Sequence, residues 1–338
     1  LTLTQRIKAF TELGSLISNP DENLTATISQ AKNANAWFTF ESTLNSVKNI
    51  GQMLNNEDLT KWLTPYDNSS ITPKTVGLVL AGNIPMVGFY DILCVLAAGH
   101  KALIKLSSHD QQLIPFVLNE LIKIEPGFND QISYTERLQQ FDAVIATGSN
   151  NTSRYFEHYF AKYPHIIRKN RNSVAVLTGN ESAEELGRIG HDIFDYFGLG
   201  CRNVSKLFVP ENYKFDFFFE SIEHLQPVIN HHKYCNNYDY NKSIFLVNSE
   251  LHLDNGFLLV KEDERLSSPL AVVYFEYYSS IAGAQDRINF LANDIQVVVS
   301  AAGLNITPQL VKPGESQHPK LWDYADGINT LEFLSSLN

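Results

Sequence analysis

The sequence predicts an α/β fold built on two parallel-sheet layers, and three observations carry that reading. Short apolar runs such as Val76-Gly77-Leu78-Val79-Leu80 have the length and composition of strands buried on both faces. Longer segments with helical spacing separate them, as the crossovers of a parallel sheet require. This alternation occurs twice, from about residue 76 to 177 and again from 181 to 274.

Residues 1–62 read as helices, with Ile7, Phe10, Leu13 and Leu16 at helical spacing, and are expected to form a cap. A change of composition at Pro65-Tyr66-Asp67-Asn68-Ser69-Ser70 marks a linker over 63–75, after which the first strand begins. An apolar helix over 86–98 ends at Gly99, and Lys101-Ala102-Leu103-Ile104-Lys105-Leu106 completes a βαβ unit. A helix over 113–124, a strand over 141–146, a helix over 152–162 and a strand over 174–177 close the first half. The second half opens with a helix over 181–197 and passes through strands at 206–209, 243–247 and 270–274. Beyond Gly303 the Pro-containing segment 308–319 reads as loop, and 322–337 as a short tail that packs as an arm or helix. The expected domains are 1–178, completed by the C-terminal segment, 179–302, and a return segment over 303–338.

With 338 residues, 44% of them hydrophobic and 19% charged, the chain can bury a sizeable core in two domains. A net charge of −11 and the lack of a Lys/Arg run argue against a nucleic-acid partner, so any phosphate site must be local. The cysteines at 94, 201 and 235 do not resemble a disulfide framework and fit a reducing cytoplasm. No apolar run approaches the ~18 residues of a membrane span, and the opening Leu1-Thr2-Leu3-Thr4-Gln5-Arg6 does not lead into a signal-peptide core. His231, His232 and Cys235 are metal-capable but do not make a four-ligand spacing, so no metal is expected.

Cys201 is the leading candidate for chemistry. In Tyr196-Phe197-Gly198-Leu199-Gly200-Cys201-Arg202-Asn203 a helical pattern breaks on two glycines and delivers a thiol beside a cation. Glycines admit a substrate close to the backbone, and nearby positive charge favours the attacking thiolate. A lone cysteine is equally at home as a small buried hydrophobe. Gly82-Asn83-Ile84-Pro85 follows a strand and precedes a helix, where open α/β sheets bind ligands. Asn83 there is either an oxyanion donor or an ordinary turn residue. Lys105-Leu106-Ser107-Ser108 brings a cation and two hydroxyls to the same edge, as a phosphate or ribose site or as a solvated strand end. Thr147-Gly148-Ser149-Asn150-Asn151 opens a helix whose amides suit a pyrophosphate, although it is not a GxGxxG fingerprint. His191, ten residues before Cys201, is assigned a structural role, and Phe215-Asp216-Phe217-Phe218-Phe219 is assigned to the core.

Taken in order over about 76–300, these segments resemble the aldehyde dehydrogenase superfamily, with its Asn-Phe-Pro, Lys-Pro-Ser-Glu, Gly-Ser and Cys elements. Ala97-Ala98-Gly99, Lys206 in place of an Arg, and Ser268-Pro269 in place of Gly-Pro extend the likeness. The closer resemblance is to LuxC-type fatty acyl-CoA reductases. It rests on Arg168-Lys169-Asn170-Arg171-Asn172-Ser173-Val174-Ala175-Val176-Leu177 and on Gly198-Leu199-Gly200-Cys201-Arg202-Asn203-Val204-Ser205. Oxidative members carry Glu-Leu-Gly-Gly in the first of these segments, its Glu activating the deacylating water. This chain has no Glu between Glu157 and Glu181.

The resemblance implies an aldehyde-dehydrogenase-like fold of two Rossmann-like α/β domains with a small oligomerisation arm supplied by 63–75 or 304–338, and a dimer or tetramer. It implies reduction of a fatty acyl-CoA to the aldehyde by NADPH through an acyl-Cys201, with Asn83 and the Cys201 amide as oxyanion donors. Lys105 with Ser107 or Ser108 would hold the adenosine ribose, Gly148 and Ser149 the pyrophosphate, and Gly82, Pro85 and Glu264 would also belong to the cofactor-binding set. Glu264 lies one residue off the ribose-contacting Glu of the superfamily, with Arg265 at the aligned position. Ser108 stands where NAD-preferring relatives place a Glu that would repel a 2′-phosphate, which favours NADPH. An acyl-protein synthetase partner is implied as acyl donor. The alternatives are an NAD(P)-dependent aldehyde or semialdehyde dehydrogenase, a non-redox acyl-cysteine carrier, and a thiol hydrolase.

Overall fold

The computed structural model describes residues 1–67 and 72–337. It divides into two compact units, Leu1–Asn170 with Pro319–Asn338, and Arg171–His318. The part of the expected linker at 68–71 lies outside the described residues.

The first unit opens with four helices, α1 (Leu3–Ser18), α2 (Glu22–Ala34), α3 (Phe40–Met53) and α4 (Asn56–Leu63). Each starts on a side chain that accepts from a first-turn amide: Thr2 in a capping box with Gln5, then Asp21, Thr39 and Asn55. There follow β1 (Thr75–Val79), α5 (Phe89–Ala97), β2 (Lys101–Lys105), α6 (Leu113–Ile124), β3 (Ile132–Tyr134), β4 (Ala143–Thr147), α7 (Asn150–Phe160) and β5 (His165–Arg168). Among the described residues the strands form a parallel sheet in the order β3-β2-β1-β4-β5. α5 is buried almost all round and ends where Gly99 adopts φ +84°. The helices of 1–62 pack as a core layer of this unit: Phe10, Leu13, Leu24 and Val47 share one cluster with Val76, Leu93 and Leu118.

The second unit comprises β6 (Asn172–Val176), α8 (Ala183–Phe194), β7 (Val204–Pro210), α9 (Asp216–Ile222), α10 (His232–Val247), β8 (Leu253–Asp254), β9 (Leu259–Glu262), β10 (Val272–Tyr278), α11 (Ile281–Phe290), β11 (Ile295–Val299) and β12 (Gln309–Val311). Its sheet runs β12-β11-β6-β7-β10-β9-β8 among the described residues, parallel except for the β8–β9 pair. The final helix, α12 (Thr330–Ser335), belongs to the first unit.

Several elements differ from the sequence expectation. The apolar stretch 243–247 is not a strand but the end of α10, where Tyr234, Tyr238, Asn241 and Phe245 are buried at helical spacing. A short apolar run has no period of its own, and the stripe emerges only over the full sixteen residues of the helix. The units part at 170/171 rather than 178/179, because β6 pairs with β7 and β11. The second break falls at 318/319 rather than 302/303, because β12 pairs with β11. The helix expected over 181–197 stops at Phe194.

The returning tail belongs to the first unit and packs into its core through Leu321, Leu331 and Leu334. Arg168, at the end of β5, fastens it. Its guanidinium contacts Asp91 of α5 at 2.7 Å, donates to the Ala325 carbonyl at 2.9 Å and donates to Thr330 Oγ1 at 3.0 Å. Tyr90 Oη donates to the Leu321 carbonyl, Trp62 Nε1 donates to Tyr324 Oη, and His100 Nε2 lies 3.0 Å from the Leu334 carbonyl. Removing one member of a buried pair strands the other charge, so Arg168→Ala is expected to destabilise the first unit by about 3–5 kcal/mol. Urea denaturation followed by the fluorescence of Trp37, Trp62 and Trp322, all in this unit, would measure it.

Candidate active site

Parallel pairing aligns Val79 of β1 with Lys105 of β2 and with Ala146 of β4. The segments after β1, β2 and β4 therefore leave the first sheet at one edge, the carboxyl edge where such sheets bind ligands. Gly82, Asn83, Pro85, Lys105, Ser107, Ser108, Gly148 and Ser149 all stand there. The turns after β1 and β2 touch: a Cβ on Gly82 would lie 2.3 Å from Ser107 Oγ, so this approach requires glycine. Gly148 stands at the start of α7, where a Cβ would lie 3.0 Å from Thr152 Cβ, a tight fit that a small shift of the neighbour would relieve. Ser149 caps α7, its Oγ accepting from the Thr152 amide at 3.3 Å, and sets the positive end of that helix at the edge. Asn83, Lys105, Ser108 and Ser149 are exposed and Ser107 is half-buried.

Three residues without a sequence assignment hold the Gly82–Met86 turn. Asn35 Nδ2 donates to the Gly82 carbonyl at 3.4 Å, Ser46 Oγ donates to the Pro85 carbonyl at 2.6 Å, and Asp110 Oδ2 accepts from the Met86 amide at 2.8 Å. Met86 sits at φ +61°, a conformation that persists where its surroundings enforce it. Asp110 is buried, and burial pushes its carboxyl up to about 6, against the opposing backbone amides of Met86, Leu113 and Ile114. The only sequence signal for it was a carboxylate just before a helix start, which reads as an ordinary helix-opening residue.

In the second unit Cys201 is exposed, in a turn directly before β7. Tyr196 (φ +54°), Phe197 (φ +60°) and Gly198 (φ +76°) are three successive left-handed residues between the end of α8 and that turn. Gly200 and Asn203 close it, the Asn203 amide donating to the Gly200 carbonyl at 3.0 Å. Ser173 of β6, buried, donates Oγ to the Cys201 carbonyl at 2.9 Å. Arg202, expected as the cation beside the thiol, also braces the following chain: its Nε donates to the Ser316 carbonyl at 2.6 Å and Nη2 to Gln309 Oε1 at 3.0 Å. Asp192 of α8 grips the same stretch through the amides of Gly314 and Ser316.

A cavity of about 40 Å³ adjoins the turn, lined by Phe194, Phe197, Gly198, Asn203, Leu258 and Pro269 among others. It has room for no more than a few water molecules and does not hold a long acyl chain in this conformation. Phe215 and Phe218 are core residues, while Phe217 is half exposed.

Lys206 is fully buried, where it pairs with Glu276 and donates to the carbonyls of Asp263 and Glu264. Glu264 is exposed, on the second unit, in the segment that Lys206 fixes. His191 pairs with Asp195 at 3.0 Å, a hydrogen bond that raises its pKa against partial burial. Among the described residues no group of three or more His, Cys, Asp or Glu side chains gathers as a metal site, and no helix is long and apolar enough to cross a membrane.

The fold has well-defined structural relatives. Aldehyde dehydrogenase 21 from Physcomitrella patens, solved with the reaction product succinate, matches with a TM-score of 0.71 at 12% identity, covering 100% of this chain and 84% of that one. An oxidoreductase from Marinobacter aquaeolei matches at 0.67 and 12% identity, covering 95% and 79%. An NADP dependent enzyme from E. coli matches at 0.66 and 12% identity, covering 93% and 78%. At these identities the likeness is one of fold, and it makes this an aldehyde-dehydrogenase-like protein of two α/β units. No curated protein matches the chain in sequence. Residues 24–217, more than half of the chain, match the acyl-CoA reductase (LuxC) family, and the chain belongs to that family.

The Asp110 proton is held more tightly in the folded chain than in the unfolded one. Its contribution to stability is therefore complete below about pH 4 and is lost as pH rises through about 6. A carbon-13 NMR titration of the Asp110 carboxyl is expected to show a midpoint near 6, and Asp110→Asn to remove that part of the pH dependence of unfolding.

Proposed function

We propose that the chain is a nicotinamide-dependent oxidoreductase that works through an acyl-cysteine at Cys201, reducing a fatty acyl-CoA thioester to its aldehyde with NADPH. The observation that carries the direction is the strand facing the Cys201 turn. Where the oxidative relatives place the Glu that activates water, this chain has no Glu between Glu157 and Glu181. The strand contributes Ser173 instead, whose hydroxyl is spent on the Cys201 carbonyl. A site without an efficient water-activating base spares an acyl-enzyme from hydrolysis and keeps it for reduction. The family match supports the same reading.

The carboxyl edge of the first sheet has a donor set that fits a dinucleotide. Lys105, Ser107 and Ser108 offer a cation and two hydroxyls to the adenosine ribose, and Gly148 and Ser149 open α7 toward a pyrophosphate. Ser108 carries no charge to oppose a 2′-phosphate, which favours NADPH. Glu264 would be a further ribose contact. Bound there, NADPH would supply hydride.

The remaining chemistry falls to side chains and backbone. Cys201 thiolate attacks the thioester carbonyl, the carbon–sulfur bond to CoA breaks, and CoA leaves as thiolate. Asn83 Nδ2 and the Cys201 amide would stabilise the oxyanion on attack and again on collapse to aldehyde, which returns the thiolate to Cys201. The acyl group would arrive as a CoA thioester or from an acyl-protein synthetase.

A second reading, oxidation of an aldehyde or semialdehyde at the same cysteine, is favoured by the likeness to aldehyde dehydrogenase 21. The two readings separate in one experiment, with NADPH loss on a panel of acyl-CoAs set beside NADP⁺ or NAD⁺ reduction on the matching aldehydes. Acyl-CoA-dependent NADPH loss with trapped aldehyde, abolished in Cys201→Ala, is the expected outcome. Acid formation from aldehyde without the acyl-CoA reaction would establish the second reading, and Cys201 acylation without cofactor turnover would indicate a carrier.

Asn83→Ala is expected to lower kcat by about 10²-fold or more, with fold retained by circular dichroism. Ser108→Glu is expected to move preference from NADPH toward NADH, read as the ratio of kcat/KM for the two cofactors.

A further inference from the structure

We infer that Asn203 is the positioning residue for Cys201: it clasps the strained segment in front of the nucleophile from both ends and so sets how Cys201 is presented. This rests on Cys201 being the reacting group. Asn203 is 4% exposed, and its side chain reaches past the intervening residues to two places at once. Oδ1 accepts from the Gly200 amide at 2.8 Å. Nδ2 donates to the carbonyls of Asp192 (3.1 Å), Ile193 (3.4 Å) and Asp195 (2.8 Å). These carbonyls lie at the end of α8, where a helix leaves acceptors without partners of its own. The contacts bracket Tyr196, Phe197 and Gly198, the three left-handed residues. Two of these are not glycine, and such a conformation is retained only where surrounding contacts over-determine it.

The turn that the side chain braces orients a donor through backbone bonds. The Asn203 backbone amide holds the Gly200 carbonyl inside the turn. Across a trans peptide the N–H points opposite to the C=O, so the Cys201 N–H is directed out of the turn. Ser173 fixes the next carbonyl, that of Cys201. The two peptides flanking the nucleophile are therefore each held by one hydrogen bond to a carbonyl, and the Asn203 side chain adds to this turn the bond to the Gly200 amide and the brace to the end of α8.

The test compares the full-length parent, Asn203→Ala, Tyr196→Gly and the double variant. Iodoacetamide alkylation would be mapped to Cys201 by mass spectrometry, NADPH affinity read by nucleotide fluorescence, and kcat and KM measured with an acyl-CoA. Asn203→Ala is expected to lower kcat by about 10²-fold and slow Cys201 alkylation by about tenfold, with NADPH affinity unchanged. Glycine at 196 removes the cost of the left-handed conformation, so the double variant is expected to recover most of the alkylation rate. A structural role without positioning would leave the double variant no better than Asn203→Ala.

The inference is overturned if Asn203→Ala stays within about twofold of the parent in both rates, or if the two substitutions act additively. If Asn203→Ala does not fold, the double variant decides: folding with parental alkylation supports the clasp, and failure to fold overturns it. If the parent reduces no acyl-CoA, the reductase reading fails, while the alkylation comparison still judges the clasp.

Discussion

The buried pair between Arg168 and Asp91 is the interaction around which the two stretches of the first unit are joined. The chain leaves the first unit two residues after Arg168 and rejoins it at 319, and the same guanidinium holds the returning tail at Ala325 and Thr330. A charge this deeply buried is costly unless its partners are in place. The arginine is therefore satisfied only when strand, helix and tail have all arrived. Arg168 opens the segment that resembles the LuxC signature, and in this structure its contacts are those of a fastening.

Much of the fold was legible because parallel sheets write themselves plainly. β1 and β4 are nearly continuous apolar runs, and α5 is apolar enough to be buried almost all round. The end of α10 was misread for a physical reason: five apolar residues carry no period that separates strand from helix, and β12 was passed over as loop because three residues beside a proline carry no strand pattern of their own. The unit boundaries were missed because they depend on which strands pair, and Asn172–Val176 looks the same in sequence whichever sheet receives it.

The site was legible where chemistry dictates residue type. Cys201 and its glycines stand out because exposing a nucleophile demands them, and the structure does leave that thiol exposed. Asp110, Ser46 and Asn35 did not stand out. Each acts on a backbone group that sequence places far away, such as the Pro85 carbonyl for Ser46, and a hydroxyl or carboxylate carries no mark of the partner it will find. Asn203 was visible as part of a motif, but its function depends on a backbone conformation that only coordinates display. Arg202 shows the reverse case: beside a cysteine it reads as an electrostatic aid, yet its hydrogen bonds also tie down the start of β12 and the turn that follows that strand.

The discontinuity of the first unit has a consequence for biosynthesis. Residues 171–318 emerge from the ribosome as an uninterrupted stretch and contain all the strands of their own sheet, so that unit can complete its folding while translation continues. The first unit begins earlier and finishes later: Leu93 and Leu118 must wait for Leu321, Leu331 and Leu334, which are made after the whole of the second unit. Its unfinished core is therefore exposed to chaperones and proteases for as long as it takes to make the whole of the second unit.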